Sequence, residues 1–328
     1  MDTINSVCPL CDNSDNLSHD AYLNAYWEKL DTFKDLSITY CSKCGLGSSV
    51  PEIENNRVDD FYTITYREKN SPFYTDFNNL YAPLSYDLRS MAQLILAKHF
   101  VNFNRGDLFV DIGPGAGASF STAQKLFKNP KMMAVEFNLG AAEAYRKVYN
   151  VETFTSLDKI DISDKKPKVI LSSHSLEHFK LPDLKEFLLN LKKILDPDGI
   201  FIAEVPHVNM TLHSNMRTND APHFLFFSIK SFSKLFSDSG FDILFLNTCE
   251  EKYTDWWDEN KLIKNIEINN LSVMKRLLRQ IFLCLPYKYI LKKIYLKLKG
   301  NKINFNSESF NYGGDRICLR IVVRASST

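Results

Sequence analysis

Phe109-Val110-Asp111-Ile112-Gly113-Pro114-Gly115-Ala116-Gly117 is the stretch that decides the fold. An apolar run ends in Asp111, a loop with glycine at every second position follows, and a helical pattern begins near Ser119. Glycines at this spacing let a backbone turn tightly and approach a nucleotide closely. The pattern is Gly-x-Gly-x-Gly, not the Gly-x-Gly-x-x-Gly of dinucleotide binders, so it favours a different nucleotide cofactor.

Outward from this loop the chain alternates. Strands are expected at 107–112, 131–137, 151–154, 169–172, 200–205 and 241–246, and helices at 119–127, 140–149, 184–195 and 231–239. Asp196-Pro197-Asp198-Gly199 and Gly240 supply two of the stops. Such alternation predicts an α/β, doubly wound, mostly parallel sheet, with 315–323 as its last strand. Ligands on these sheets bind beyond the carboxyl ends of the strands. Asp111, Glu136, the 172–178 segment and Pro206-His207 are therefore expected to converge on one crevice. Glu136 lies 19 residues after Gly117, a spacing that suits a carboxylate accepting hydrogen bonds from ribose hydroxyls. The plainer reading is a solvated carboxylate at a strand end.

The 328 residues suit one large domain or two modest ones. A 45% hydrophobic and 24% charged composition is that of an ordinary soluble globular protein, and a net charge of +1 gives no global signature of nucleic-acid binding. No apolar run approaches the roughly 18 residues a membrane span needs, and the polar Met1-Asp2-Thr3-Ile4-Asn5-Ser6 start lacks a signal pattern. The expected location is the cytoplasm.

Cys8-Pro9-Leu10-Cys11 and Cys41-Ser42-Lys43-Cys44-Gly45 read as two knuckles supplying four thiolates to a structural zinc ion. The alternatives are redox pairs or disulfides, which a reducing compartment disfavours. The gap between the pairs is long enough for a strand or short helix. Phe61, Tyr62, Tyr66, Phe73, Tyr74, Phe77 and Tyr81 then form an aromatic bridge, which either folds over the cofactor or substrate or packs two modules together. A helix is expected at 84–100, where Leu88, Met91, Leu94 and Ile95 make a helical stripe. The expected organisation is a zinc-binding module at 1–60, an aromatic linker and covering helix at 61–105, and a cofactor-binding domain at 106–328 interrupted by a helical, basic insertion at 250–312.

Four segments add to the glycine loop: Ala134-Val135-Glu136, then Ser172-Ser173-His174-Ser175-Leu176-Glu177-His178, then Leu195-Asp196-Pro197-Asp198-Gly199-Ile200, and finally His223-Phe224 through Ser239-Gly240-Phe241. Together they resemble the class I S-adenosylmethionine-dependent methyltransferases over roughly 85–250. The resemblance implies a seven-stranded sheet with the last strand antiparallel. It implies that Gly113, Pro114, Gly115 and Gly117 lie against the methionine part of the cofactor, with Asp111 and Phe137 in the same binding set. Glu136 would take the ribose, Ser156-Leu157 would border the adenine, and Ser173 and His174 would sit near the sulfonium. A four-cysteine ribbon before such a domain, with an aromatic bridge, is similar to the sugar C-methyltransferases of antibiotic and surface-polysaccharide pathways. That similarity implies a sugar, nucleotide-sugar or nascent surface glycan as acceptor, with structural Zn2+ alongside S-adenosylmethionine. A non-sugar small molecule methylated on oxygen is the alternative.

Methyl transfer is an in-line displacement, so the protein must hold nucleophile and methyl together and remove a proton. His174 and His178 lie four apart with Glu177 beside them, and would share a face if the segment turned helically. His174 is the first candidate for general base, with His178 either sharing the role or bonding backbone. His-x-x-Glu-His could instead gather a divalent metal through Glu177 and His178. His207 and His223 flank the 206–227 loop, and His223 is the better acceptor-site candidate because Phe224, Phe226 and Phe227 surround it. For both, a structural histidine is the plainer reading.

Residues 261–300 carry ten Lys/Arg against Glu267, a local net of +9 (10 − 1), interleaved with leucines, isoleucines and tyrosines. A basic amphipathic helix over 261–299, with Trp256-Trp257 upstream, suits peripheral contact with an anionic membrane. A lid or a dimer contact is the bland alternative. A nicotinamide dehydrogenase is disfavoured by the third glycine's position and by the lack of Tyr-x-x-x-Lys after the fourth strand. A nucleic-acid-directed methyltransferase or binding protein is disfavoured by the acidic 1–60 region, so no nucleic-acid partner is expected. The intact glycine loop argues against a catalytically silent subunit.

Overall fold

β4 (Leu108–Ile112) and β8 (Ile200–Pro206) are buried along their whole length. Strands covered on both faces belong in the middle of a sheet flanked by helices, and that is where both lie. The computed structural model describes residues 7–15, 17–21, 33, 36–66, 75–80, 87–127, 129–160, 162–208, 223–249 and 318–326. Aromatic positions 73, 74 and 81, the insertion at 250–312 with its basic segment 261–299, and Trp256-Trp257 lie outside them.

A seven-stranded sheet has the order β10-β11-β8-β7-β4-β5-β6. Its other members are β5 (Lys131–Val135), β6 (Glu152–Phe154), β7 (Pro167–Ser173), β10 (Phe241–Cys249) and β11 (Cys318–Ala325). The β4–β5, β4–β7, β5–β6 and β7–β8 pairs are parallel, while β11 lies between β8 and β10 and runs antiparallel to both. From β4 the chain moves outward through β5 and β6, then returns to the other side of β4 with β7. The reversal makes the β4/β7 boundary the topological switch point, where a crevice opens beyond the carboxyl ends.

The helices follow their local signals. α2 (Leu88–Phe100) starts at Asp87, whose side chain accepts from the Ser90 amide. α3 (Ala118–Leu126) starts at Gly117 in the left-handed region. α4 (Leu139–Tyr149) is capped by Asn138 and closed by left-handed Asn150. α5 (Leu181–Ile194) carries Pro182 in its first turn, and α6 (Ile229–Asp238) opens on a Ser228/Ser231 capping box.

A second, four-stranded antiparallel sheet has the order β1-β2-β3-β9, from β1 (Leu17–Ala21), β2 (Ser37–Cys41), β3 (Gly47–Val50) and β9 (Leu225–Phe226). β1 and β2 fill the gap between the cysteine pairs. β9 comes from the segment between β8 and α6, far along the chain, and pairs Gly47 with Phe226 and Ser48 with Leu225. Phe33, Leu36, Ile38, Ile53, Phe61, Phe224 and Phe226 form a core of their own against this sheet. The short helix α1 (Asn55–Asp60) continues into a π-helical turn, Phe61–Thr65.

Arg320 of β11 and Glu204 of β8 are register partners and both are fully buried. Arg320 Nε donates to Glu204 Oε2 at 2.7 Å, and Gln93 Nε2 of α2 donates to the same oxygen at 3.0 Å. Burial would raise the Glu204 carboxyl, but Arg320, His174 and Arg89 together hold it well below the usual carboxylate range. Breaking such a pair on one side leaves an uncompensated buried charge. Arg320→Ala should therefore lower unfolding free energy by about 3–5 kcal/mol in urea denaturation. The double change Glu204→Gln with Arg320→Met should lose much less, and equal losses would show that the pair is not the source.

Candidate cofactor and acceptor site

The loop after β4 sits at the switch point. Gly115 has φ +59°, a conformation that disfavours side chains, and a Cβ built there meets nothing within 4 Å. Two phenols hold the loop: Tyr145 Oη donates to the Gly115 carbonyl and Tyr149 Oη to the Ala116 carbonyl. Phe77, from the aromatic bridge, packs edge-on against Tyr145 with ring centroids 6.1 Å apart. Asp111 is buried beneath the loop and accepts a hydrogen bond from Ser119 Oγ. Burial, reinforced by neighbouring Glu136, pushes its carboxyl up to about 7 despite that hydrogen bond.

Glu136 closes β5, half-buried, with Oε1 accepting from the Asn138 amide at 3.1 Å. Beside it, Phe137 is 60% exposed and Leu139 80% exposed, an apolar rim next to a carboxylate. Ser156 precedes a single 3-10 turn, Leu157–Lys159, in which Leu157 is buried. Across the crevice, Ser173 Oγ accepts from Gln93 Nε2 at 2.8 Å, and Ser175 Oγ donates to the Ile112 carbonyl at 3.2 Å, locking the β7 end to the β4 end.

Three histidines surround one carboxylate. The segment does not turn helically from 174 as the spacing suggested; only Leu176–His178 forms a 3-10 turn, and His174 sits at φ +55°. That left-handed backbone nevertheless aims His174 inward. Its Nδ1 lies 3.6 Å from Glu177 Oε1, its Nε2 3.5 Å from Glu204 Oε1, and Cys318 Sγ is 3.7 Å from Nε2. His178 Nε2 lies 4.0 Å and His223 Nε2 3.9 Å from the same Glu177 oxygen. Glu177 is 1% exposed, and neither carboxylate oxygen has a hydrogen-bond partner among the described residues. His178 Nδ1 and Tyr62 Oη are 2.9 Å apart, so the aromatic bridge reaches this cluster while Phe61 packs into the smaller core. His207 is buried on a bridge to Phe227.

Sequence reading missed Gln93, Glu204 and Arg320. The last two carried a signal: Glu204 is the one charge in β8, and Arg320 lies between apolar residues of β11.

The four cysteines converge. Cys8 Sγ is 3.5 Å from Cys44 Sγ and Cys11 Sγ 3.6 Å from Cys41 Sγ, close to the roughly 3.8 Å edge of a tetrahedron with 2.3 Å metal–sulfur bonds. All four are free thiols rather than disulfides. The knuckles repeat one geometry: Asp12 and Gly45, each just after a second cysteine, have positive φ, and their amides donate to the Cys8 and Cys41 carbonyls. Burial pushes the Cys8 and Cys44 thiols up, whereas the Cys44 and Lys43 amides and the Cys11 thiol outweigh burial at Cys41 and bring it to about 7. Ser228 Oγ donates to the Cys44 carbonyl at 3.1 Å, fastening the knuckle to the cap of α6.

Residues 85–245 match the family described as "Methyltransferase domain". A curated relative, the C-methyltransferase NovU of Streptomyces niveus, is 24% identical over 228 residues, covering 67% of this chain and 50% of its own length, so the chain spans half of that relative. Among solved structures, an S-adenosylmethionine-dependent methyltransferase from Clostridium acetobutylicum aligns at 12% identity over 74% of this chain and 93% of its own, with a TM-score of 0.44. Coclaurine N-methyltransferase aligns at 18% identity over 81% and 85%, also with a TM-score of 0.44. With a glycine loop at the switch point of a seven-stranded sheet, the region 85–245 that carries it matches a methyltransferase domain.

Proposed function

We propose that the chain transfers a methyl group from S-adenosylmethionine to a sugar, nucleotide-sugar or nascent glycan, and that Cys8, Cys11, Cys41 and Cys44 hold a structural zinc ion. The observation that carries the methyl-transfer reading is the open space at Gly115, in the loop that follows β4 at the switch point of the sheet. S-adenosylmethionine, when bound, supplies a methyl group already activated on a sulfonium. The chain's own residues do the rest. The Gly113–Gly117 backbone takes the methionine part, Glu136 accepts from ribose hydroxyls with Phe137 beside it, and the Ser156-Leu157 turn borders the base. His174, between the carboxylates of Glu177 and Glu204, takes the proton released by the acceptor. Tyr62 and Tyr66, with His178 and His223, wall the acceptor side. Sugar as acceptor rests on the NovU likeness together with the four-cysteine module. Peripheral membrane contact through 261–299 belongs to the same proposal, on the sequence reading alone.

Calorimetry should detect S-adenosylmethionine binding and no NAD binding. Gly115→Ala should weaken the former at least about tenfold while leaving the fold intact, because the added methyl enters the open space at a left-handed backbone. Absence of binding by the unaltered protein would sink the reading.

His174→Asn, which tolerates the left-handed backbone, should keep cofactor affinity and lower turnover by about 10²–10⁴-fold, the range for a lost general base. Turnover within a few fold of the parent would remove His174 from that role.

Zinc analysis should find metal that Cys41→Ser releases. Hydrogen exchange should then accelerate at 37–50 and also at 225–228, since β9 is held by β3. Unchanged exchange at 225–228 would mean that the module does not brace the acceptor side.

A further inference from the structure

Glu177 stands out because burial is its whole environment. Every other fully buried carboxylate described above has a conventional partner: Glu204 has Arg320 and Gln93, and Asp111 has Ser119. Glu177 is 1% exposed with both oxygens lacking a hydrogen bond among the described residues, and what faces it is imidazole nitrogen. An ionised carboxylate in such a place is costly unless a positive charge meets it. One ligand atom each from Glu177, His178 and His223 lies within 4.8 Å of the others. His178 also carries the usual outer support of a metal-bound histidine. With its Nδ1–H given to the Tyr62 hydroxyl oxygen at 2.9 Å, Nε2 turns its lone pair towards Glu177.

We propose that Glu177, His178 and His223 bind one divalent transition-metal ion, whose open coordination positions take an oxygen of the acceptor. Two imidazoles and one carboxylate suit Zn2+, Mn2+ or Fe2+ and leave positions for ligand. Tetrahedral bonds of about 2.1 Å put ligand atoms about 3.4 Å apart. The nitrogens stand 4.0 and 3.9 Å from Glu177 Oε1, so these two edges need a contraction of about half an ångström, and all three ligand atoms lie within 4.8 Å of one another. This site is separate from the four-cysteine cluster: it offers nitrogen and oxygen where that one offers only sulfur. Its metal half stands by itself, and its acceptor half rests on the methyl-transfer reading. The acceptor it selects bears a hydroxyl or carbonyl oxygen at or next to the methylated atom.

The test uses untagged full-length protein with zinc loaded at the cysteines, titrated with Mn2+ and read by loss of the free-ion electron paramagnetic resonance signal. One Mn2+ per chain is expected. Glu177→Gln, which keeps the side-chain shape, and His178→Ala should each weaken uptake at least about tenfold, and Tyr62→Phe by about tenfold, the lower bound for outer partners. Circular dichroism of each variant reports its folding. Uptake unchanged in folded Glu177→Gln, or no uptake by the unaltered protein, overturns the site. Binding of S-adenosylmethionine without Mn2+ uptake would remove the metal and leave methyl transfer standing. Mn2+ uptake without S-adenosylmethionine binding would do the reverse.

Discussion

The buried charge of Glu204 orders much of the crevice. It sits where β8 ends, and the polar groups that answer it come from three other elements: Arg320 from β11, Gln93 and Arg89 from α2, His174 from the turn after β7. A carboxylate at zero exposure tolerates no loose arrangement of its partners. Satisfying it fixes β11 between β8 and β10 and sets α2 across the sheet. It also points Gln93 at Ser173 and leaves His174 held at both ring nitrogens. The site geometry is thus a consequence of charge compensation in the core.

A second constraint comes from β9. Two residues of strand are little by themselves, but they join the cysteine-bearing sheet to the segment that carries His223. The Phe224 amide donates to the Glu177 carbonyl at 2.9 Å, and the Ser49 amide donates to the Phe224 carbonyl at 3.0 Å. One residue therefore touches the histidine cluster with its amide and the small sheet with its carbonyl. The knuckle that accepts from Ser228 is thereby tied to the segment that carries His223 by a short path.

The sheet and its helices were legible in the sequence because central parallel strands announce themselves. Runs such as Phe109-Val110 and Ile200-Phe201-Ile202-Ala203 are apolar at consecutive positions, and Pro, Gly and Asn punctuate them. Boundaries moved by a few residues, as at α5, which begins at Leu181 and uses Pro182 in its first turn. The four cysteines were equally readable, since Cys-x-x-Cys is a local geometry. What could not be read was non-local. Nothing in Leu225-Phe226 distinguishes a strand added to a sheet made by residues 17–50 from a hydrophobic loop. The pairing of Glu204 with Arg320 spans 116 residues, and only its register in β8 and β11 reveals it. His174 and His178 both approach Glu177, but through the left-handed backbone at His174 rather than the shared helical face that their spacing suggested.

The contrast between the two buried carboxylates beside His174 then has a chemical meaning. Glu204 is neutralised by a guanidinium, a charge that does not leave at any working pH. It can anchor structure, and it has little left to offer a ligand. Glu177 faces groups whose charge is adjustable: imidazoles that gain or lose protons, or that share a metal. A fold that needed only stability at this position would do better with an apolar side chain of similar volume. A buried carboxylate ringed by His174, His178 and His223 is instead an arrangement for receiving charge from outside the chain, whether as a cation or as a substrate oxygen presented to one. His174 bridges the two, 3.5 Å from the fixed carboxylate and 3.6 Å from the adjustable one. Its position links the histidine cluster to the charged frame of β8, β11 and α2.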